Sequence, residues 1–348
     1  MVIQRKTKKR IGISLCILIL LALALASTAY LLFFRPLAPP LGKQTLYIYN
    51  NYTIDSVENQ ICRILQQEKA PLGFRLISQY KQYPKAIRSG KYTLSSEDTP
   101  YSLFIKLSRG HQTPTKLVIN NIRTLDQLVE QVGGQIMANE QELKQCFSSS
   151  EVLQELGYTY ETLPALFIPN TYEVYWNMSA KDFIKRMLKE HNRFWTQARI
   201  EQAQEIGLSP VEVATIASLV EEETNASQEK ARVAGLYINR LHRGMLLQAD
   251  PTIKFALQDF SIRRITNDML TIESPYNTYK YTGLPPGPIR FPSVEGLLSV
   301  LNYEKHNYLY MCAKEDFSGQ HNFSTNLQQH MANARRYWRA LNQRKIYK

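Results

Sequence analysis

Three consecutive glutamates, Glu221, Glu222 and Glu223, close an apolar run that reads IASLVEEET. Ser209 followed by Pro210 is an N-cap with proline at the first helical position, so a helix starts there and carries the glutamates in its last turn. At 100° per residue, Val213, Ile216, Ala217 and Val220 share one face and Glu222 projects opposite them, into solvent. Glu221 falls beside Ala214 and Ala217, on a flank of small residues that a substrate can approach, and Glu223 falls on the other flank near Ile216. A run of three glutamates is ordinarily a solvated helix end. Here, however, each carboxylate at a helix C-terminus opposes the macrodipole at a cost of ~0.3–1 kcal/mol. A carboxyl held there and partly desolvated has its pKa raised, which suits a general acid. Downstream loops carry the amides, hydroxyls and rings that hold a polyhydroxylated substrate: Gln248 and Asp250 before Pro251, Asn277, Thr278 and Tyr279 within YNTY, and Thr325 and Asn326 near His321. Asp250 is also a candidate second carboxylate, although aspartate before proline is commonly a turn former.

These groups need elements to position them. Asn225 and Gln228 have capping-box spacing for a second helix, with Glu229 in its first turn. Val233, Ala234, Tyr237, Ile238 and Leu241 form its core stripe, His242 and Arg243 fill its last turn, and Gly244 ends it. The two helices make a hairpin with Glu221 near the bend. GLPPGPI, residues 283–289, cannot continue a helix, and Gly287 between two prolines reads as a point of backbone freedom.

At 348 residues the chain holds about two domains, with 44% hydrophobic and 21% charged residues, as in folded proteins. The net charge of +12 is no nucleic-acid signature: Arg5, Lys6, Lys8, Lys9 and Arg10 supply five of it, and the rest is dispersed without an RNP-like motif or finger spacing. Attraction to an anionic polymer or a membrane surface fits better. Cys16, Cys62, Cys146 and Cys312 show no CxxC spacing, and the six histidines form no HxH or HExxH pair. No metal, cofactor or disulfide framework is expected.

Residues 11–34 carry no charge, follow five basic residues and precede Arg35 and three prolines. About 20 apolar residues cross a bilayer. The basic cluster stays cytoplasmic and the remainder lies outside. Ala24-Leu25-Ala26 imitates a signal-peptidase site, but Tyr30 to Phe34 continue the apolar run past it, so a retained single-pass anchor is the expectation.

Beyond a proline-rich linker at 35–44, strands are expected at 45–50, 74–78, 91–94 and 116–119. Helices are expected at 54–67, with Asp55 and Glu58 at capping-box spacing, and from Pro100 to near Gly110. Residues 45–120 then form a small α/β module, and 121–165 a helical connector. FIPNTYEVYW is β-prone, a long helix follows over 180–206, and residues 166–348 make a mixed α+β domain, an α+β fold class for the whole.

SLVEEET, INRLHRGMLLQADPT, SPYNTYKYTGLPPGPI and HNFSTNL, in that order, resemble the endolytic murein transglycosylase family, also called YceG-like. The resemblance covers about residues 166–341, and the anchor and small module match the family's layout, in which a LysM-like subdomain precedes the catalytic domain. It implies that the first Glu of E-x-E-T, Glu221, is catalytic, and that Glu223, at the second motif position, is expected among the substrate-binding residues. Asn170 in IPNTY departs from relatives that carry Asp there. The implied activity is lytic cleavage of the β-1,4 bond between N-acetylmuramic acid and N-acetylglucosamine in peptidoglycan glycan strands, leaving 1,6-anhydro ends and terminating strand elongation. Implied partners are those strands and the synthases of wall elongation or division. A hydrolase using Asp250, or a glycan-binding envelope scaffold without catalysis, are the competing readings.

Overall fold

The first helix is α1 (Val2–Phe33), and in the computed structural model its apolar Gly12–Phe33 stretch is exposed except at Leu32 and Phe33 near its end. Among the described residues it is the one helix long and apolar enough to cross a membrane. The structure describes residues 2–344, and of residues 2–11 the backbone alone, so the expected basic cytoplasmic side chains lie outside the described ones.

The chain divides into two units, one of Met1–Lys116 with Glu173–Met178, the other of Leu117–Tyr172 with Ser179–Lys348. After α1 the first unit holds β1 (Gln44–Ile48), α2 (Ile54–Leu65), α3 (Leu72–Tyr80), β2 (Gly90–Leu94) and α4 (Pro100–Arg109). β1 and β2 pair antiparallel, Gln44 opposite Leu94 and Ile48 opposite Gly90. Leu46, Ile48, Val57, Ile61, Phe74, Tyr92, Leu94, Leu103 and Leu107 close a core between this ribbon and the three helices. Two expectations fail here. Residues 74–78 are helical, because Phe74 and Ser78 are buried one turn apart while Leu72 and Leu76 face outward. And α2 is capped by Thr53, whose side chain accepts from the Ser56 N–H, not by Asp55.

The chain passes between the units within β3 (Thr115–Ile119) and β4 (Asn170–Val174). The second unit begins with α5 (Leu125–Gly133), α6 (Glu140–Ser148) and α7 (Ser150–Leu156). The expected long helix is two, α8 (Ala180–Phe194) and α9 (Gln197–Ile206), broken where Trp195 and Thr196 leave helical geometry. Next come α10 (Pro210–Glu223), α11 (Ser227–His242), α12 (Asp250–Leu257), α13 (Val294–Leu301), the antiparallel hairpin β5 (Tyr310–Ala313) and β6 (His321–Ser324), and α14 (Leu327–Gln343). The fold is thus mixed α+β, helix-rich with small sheets.

The core of the second unit gathers on α10, which is buried at every position from Val213 to Glu221. A helix apolar on all sides belongs inside a core. Ser209 and Glu212 form a full capping box at its start. The GLPPGPI loop lies against it, with the Ile289 N–H donating to Ser218 Oγ at 3.0 Å. Gly287 is required there for space and not for backbone freedom: a Cβ would stand 2.0 Å from the Glu161 carbonyl oxygen. Gly287→Ala therefore forces two backbone segments apart, with an expected loss of about 1–3 kcal/mol or more. Thermal melting checks this, and an unchanged midpoint would show that the approach relaxes freely.

Candidate functional site

The last turn of α10 carries all three glutamates and no basic residue. Their compensation comes from elsewhere in the fold. Glu221 is 8% exposed. Ser293, the N-cap of α13, donates its hydroxyl to Glu221 Oε1 and its backbone N–H to Oε2 at 3.0 Å. Lys230 Nζ of α11 lies 3.7 Å from Oε1, and Arg290 Nε lies 3.7 Å from Oε2. A Cβ on Gly296 would sit 2.7 Å from the Glu221 carboxyl carbon, so that carboxyl is packed flush on the start of α13. Glu222 does not project into solvent as expected. Arg123 grips it with two N–H groups at 2.8 and 3.1 Å, and Arg290 Nη1 adds a third contact at 3.1 Å. A helical wheel places Glu222 on the outer side of α10, but the chain folds Arg123 and Arg290 over that side.

Glu223 faces a different environment. It lines a cleft of about 470 Å³ together with Tyr237 and Arg240 of α11, Gln248, Asp250, Tyr279, Tyr310 of β5, His321 and His330. The Tyr237 hydroxyl donates to Glu223 Oε1 at 2.8 Å. Burial pushes the Glu223 pKa up to about 7, and the Asp250 charge adds to the rise, while the Tyr237 hydrogen bond, Lys254 and Arg240 oppose it. Tyr279 donates its hydroxyl to Asp250 Oδ1. Burial first, then that bond to Asp250, holds the Tyr279 phenol protonated well above its ordinary range. Arg240 is buried, and its guanidinium donates to the carbonyls of Leu309 at 2.6 Å and Leu247 at 2.7 Å. It thereby ties the cleft's β5 wall and its Gln248 wall to α11. Burial lowers the Arg240 pKa.

The remaining sequence candidates separate into cleft and scaffold. Gln248 lines the cleft in a left-handed backbone conformation, φ 48°, and its N–H donates to the Thr278 carbonyl at 3.1 Å. Asp250 opens α12 and is not in a loop as expected, because Pro251 and the capping carbonyl of Ala249 start a helix there. Asn277 is wholly buried: its Nδ2 donates to the carbonyls of Leu270 and Ile272, each at 2.9 Å, and its Oδ1 accepts the Tyr279 N–H at 3.0 Å. Thr278, also buried, accepts the Ala249 N–H at 3.0 Å and meets the Thr252 hydroxyl at 2.9 Å. Asn277 thus braces the loop that presents Tyr279, and Thr278 fastens that loop to the start of α12, which presents Asp250. Thr325 bonds to Gln329, and Asn326 caps α14 by accepting the Gln329 N–H at 3.0 Å; neither lines the cleft. His321 reaches the cleft, with Nδ1 3.1 Å from Glu229 Oε2, and Glu229 is buried. The Asn225–Gln228 capping box does not form; Ala226 is the N-cap of α11 and offers no side-chain bond.

Sequence reasoning missed Tyr237, assigned to the core stripe, and Arg240. Both carry polar atoms on an otherwise apolar face, and that mismatch was the available signal. Among the described residues no group of three or more His, Cys, Asp or Glu side chains has metal-binding geometry.

A buried carboxyl whose pKa is raised, in a polar, tyrosine-rich cleft, marks a candidate functional site. The chain belongs to the YceG-like family, whose model matches residues 48–336. It is 35% identical to an endolytic murein transglycosylase of Bacillus subtilis over 48% of this chain and 45% of that one. It is 29% identical to an endolytic murein transglycosylase of Streptococcus pneumoniae over 70% of this chain and 50% of that one. The chain thus spans about half the length of the curated relatives it matches. A crystal structure of a yceG-like protein from Listeria monocytogenes superposes with a TM-score of 0.55 at 27% identity, covering 83% of this chain and 98% of that one.

Proposed function

We propose that this protein is a lytic transglycosylase of peptidoglycan glycan strands, anchored by α1 in the cytoplasmic membrane with its N-terminus inside and everything after α1 outside. It cuts the bond between N-acetylmuramic acid and N-acetylglucosamine, and Glu223 is its acid/base group. One observation carries the reading: Glu223, with a pKa near 7, stands in the cleft beside Tyr237 and Asp250. The β1–α2–α3–β2 order of the first unit supports a LysM-like module. The resemblance to the family pointed to Glu221 for the proton-cycling role; the burial of Glu221 against Ser293, Lys230 and Arg290 favours Glu223, two residues on.

Protonated Glu223 donates to the glycosidic oxygen as the muramyl C1–O bond breaks, freeing the N-acetylglucosamine hydroxyl. Its carboxylate then takes the proton of the muramyl C6 hydroxyl, whose oxygen bonds to C1 and closes the 1,6-anhydro ring. The carboxyl ends as it began and no water is consumed. Because the nucleophile is held within the same sugar, it gains the advantage of an intramolecular reaction, and no base is needed to activate water. Gln248, Asp250 and Tyr279 are the groups placed to hold the sugars. Full-length protein in detergent, incubated with purified glycan strands in water enriched in heavy oxygen, tests the reaction. Mass spectrometry should find anhydro ends without the heavy isotope. Reducing ends carrying it would mean hydrolysis with Asp250 as second carboxylate, and no cleavage at all would favour the scaffold reading.

The pH dependence has a definite sign. Glu223 must start protonated, so turnover falls as pH rises through about 7. Tyr237→Phe removes a donor that stabilises the carboxylate and should move this alkaline limb to higher pH. Asp250→Asn removes a like charge and should move it lower. Limbs that stay fixed, or move in the same direction, would show that Glu223 does not set the profile.

A further inference from the structure

Most of the exposed face of α3 is apolar, Gln79 being the polar residue beside it. Leu72, Leu76 and Tyr80 recur at every fourth position, on one side of the helix, with exposures of 54%, 44% and 80%. Single exposed apolar residues are normal, but a stripe along one helix face is not. The stripe is also continuous with the end of α1. The backbones of the two helices approach so closely that a Cβ on Gly73 would lie 2.0 Å from the Leu32 carbonyl oxygen. Beside this approach runs an apolar groove of about 510 Å³ lined by Phe33, Phe34, Leu76, Ile77, Tyr80 and Tyr101, with Lys81 at its edge. The Phe34 and Tyr101 rings are 5.5 Å apart, and Lys81 Nζ sits 5.1 Å from the centre of the Tyr80 ring.

We propose that this face of the first unit docks on the outer surface of the same membrane that α1 spans, with the Tyr80 and Tyr101 rings and the Lys81 ammonium at headgroup depth. The inference rests on the membrane-spanning reading of α1. Gly12–Phe33 comprises 22 residues, which at about 1.5 Å per residue is close to the roughly 30 Å of a hydrocarbon core. Phe33 and Phe34 therefore end where the acyl chains end, and the groove they share with α3 lies at the interface. Tyrosine rings and a lysine beside them are the side chains that settle at that depth, ring inward and polar atom outward. The stripe gives α3 the same solvent as α1, so the first unit does not swing freely on its linker. Its height above the bilayer is then set by the contact.

The test uses full-length Tyr80→Trp protein in bilayer nanodiscs, with the unsubstituted chain supplying the background of Trp176, Trp195 and Trp338. Tyr80 is exposed, so the indole is accommodated without repacking. Lipids brominated near the top of the acyl chain should remove roughly half or more of the added fluorescence, as for a ring at the interface. Aqueous iodide should remove little. Strong iodide quenching with no effect of brominated lipid would overturn the proposal in favour of a water-exposed face. Protection from both quenchers would overturn it in favour of a second copy or another protein covering the groove. Carbonate extraction of the same samples separates the two levels. A chain released by carbonate removes the anchor itself, whereas a retained chain that brominated lipid does not quench removes only the docking.

Discussion

Glu223→Gln lowers turnover of glycan strands by about 10²–10⁴-fold or more, because glutamine keeps the shape of the side chain but cannot cycle a proton. The same change should make the fold more stable at alkaline pH. The folded-state pKa of Glu223, near 7, lies above that of an unfolded carboxyl, so the folded state holds the proton more tightly. The unsubstituted protein therefore loses stability as pH rises from the ordinary carboxyl range to about 7, and remains lower above it. Glutamine carries no such penalty. Glu223→Gln should gain on the order of 1–3 kcal/mol at pH about 8, less as solvent reaches the cleft, and nothing at pH about 4. Melting curves at the two pH values, paired with a turnover assay, measure both effects. Full turnover in the variant would remove the acid/base role from Glu223.

Glu221→Gln should do the reverse, costing stability and sparing chemistry. Removing one member of a buried ion pair costs up to about 3–5 kcal/mol. Here Lys230 keeps Glu295 and Arg290 keeps Glu222, so the expected loss is on the order of 1–3 kcal/mol. Turnover per folded molecule should stay within a few-fold of the parent. If Glu221→Gln melts normally yet loses turnover as Glu223→Gln is expected to, the proton belongs to Glu221 and the assignment is reversed.

The helices α10 and α11 were legible because their signals are local. Ser209, Pro210 and Glu212 announce the start of α10, and Gly244 with its positive φ ends α11. What separates Glu221 from Glu223 is not local. Ser293 and Arg290 lie about seventy residues further on and Arg123 about a hundred residues before, and no helical wheel contains them. The strand expected at 74–78 failed for a different reason: a short apolar stretch fits period 2 and period 3.6 alike, and packing decides between them. Asn277 and Thr278 look like sugar-binding groups by type, yet their burial turns the amide inward to brace its own loop and the hydroxyl inward to the start of α12. Residue type alone cannot tell an outward hydrogen-bonding group from an inward one.

The joint between Glu221 and the Ser293 cap also fixes when the cleft around Glu223 can be completed. The helix that presents Glu223 is complete by residue 223, but Arg290 and the Ser293 cap reach its last turn only when residues 290–293 have followed, and the cleft wall of β5 and His330 comes later still. Contacts that far apart in sequence close slowly and close late. A chain made or threaded from its N-terminus onward thus adds a further stretch of about a hundred residues after Glu223 before the cleft around it is complete. A product truncated before α13 would carry the complete E-x-E-T motif and remain inert. Competence arrives with the C-terminal fifth of the chain, well after the anchor and first unit have been placed.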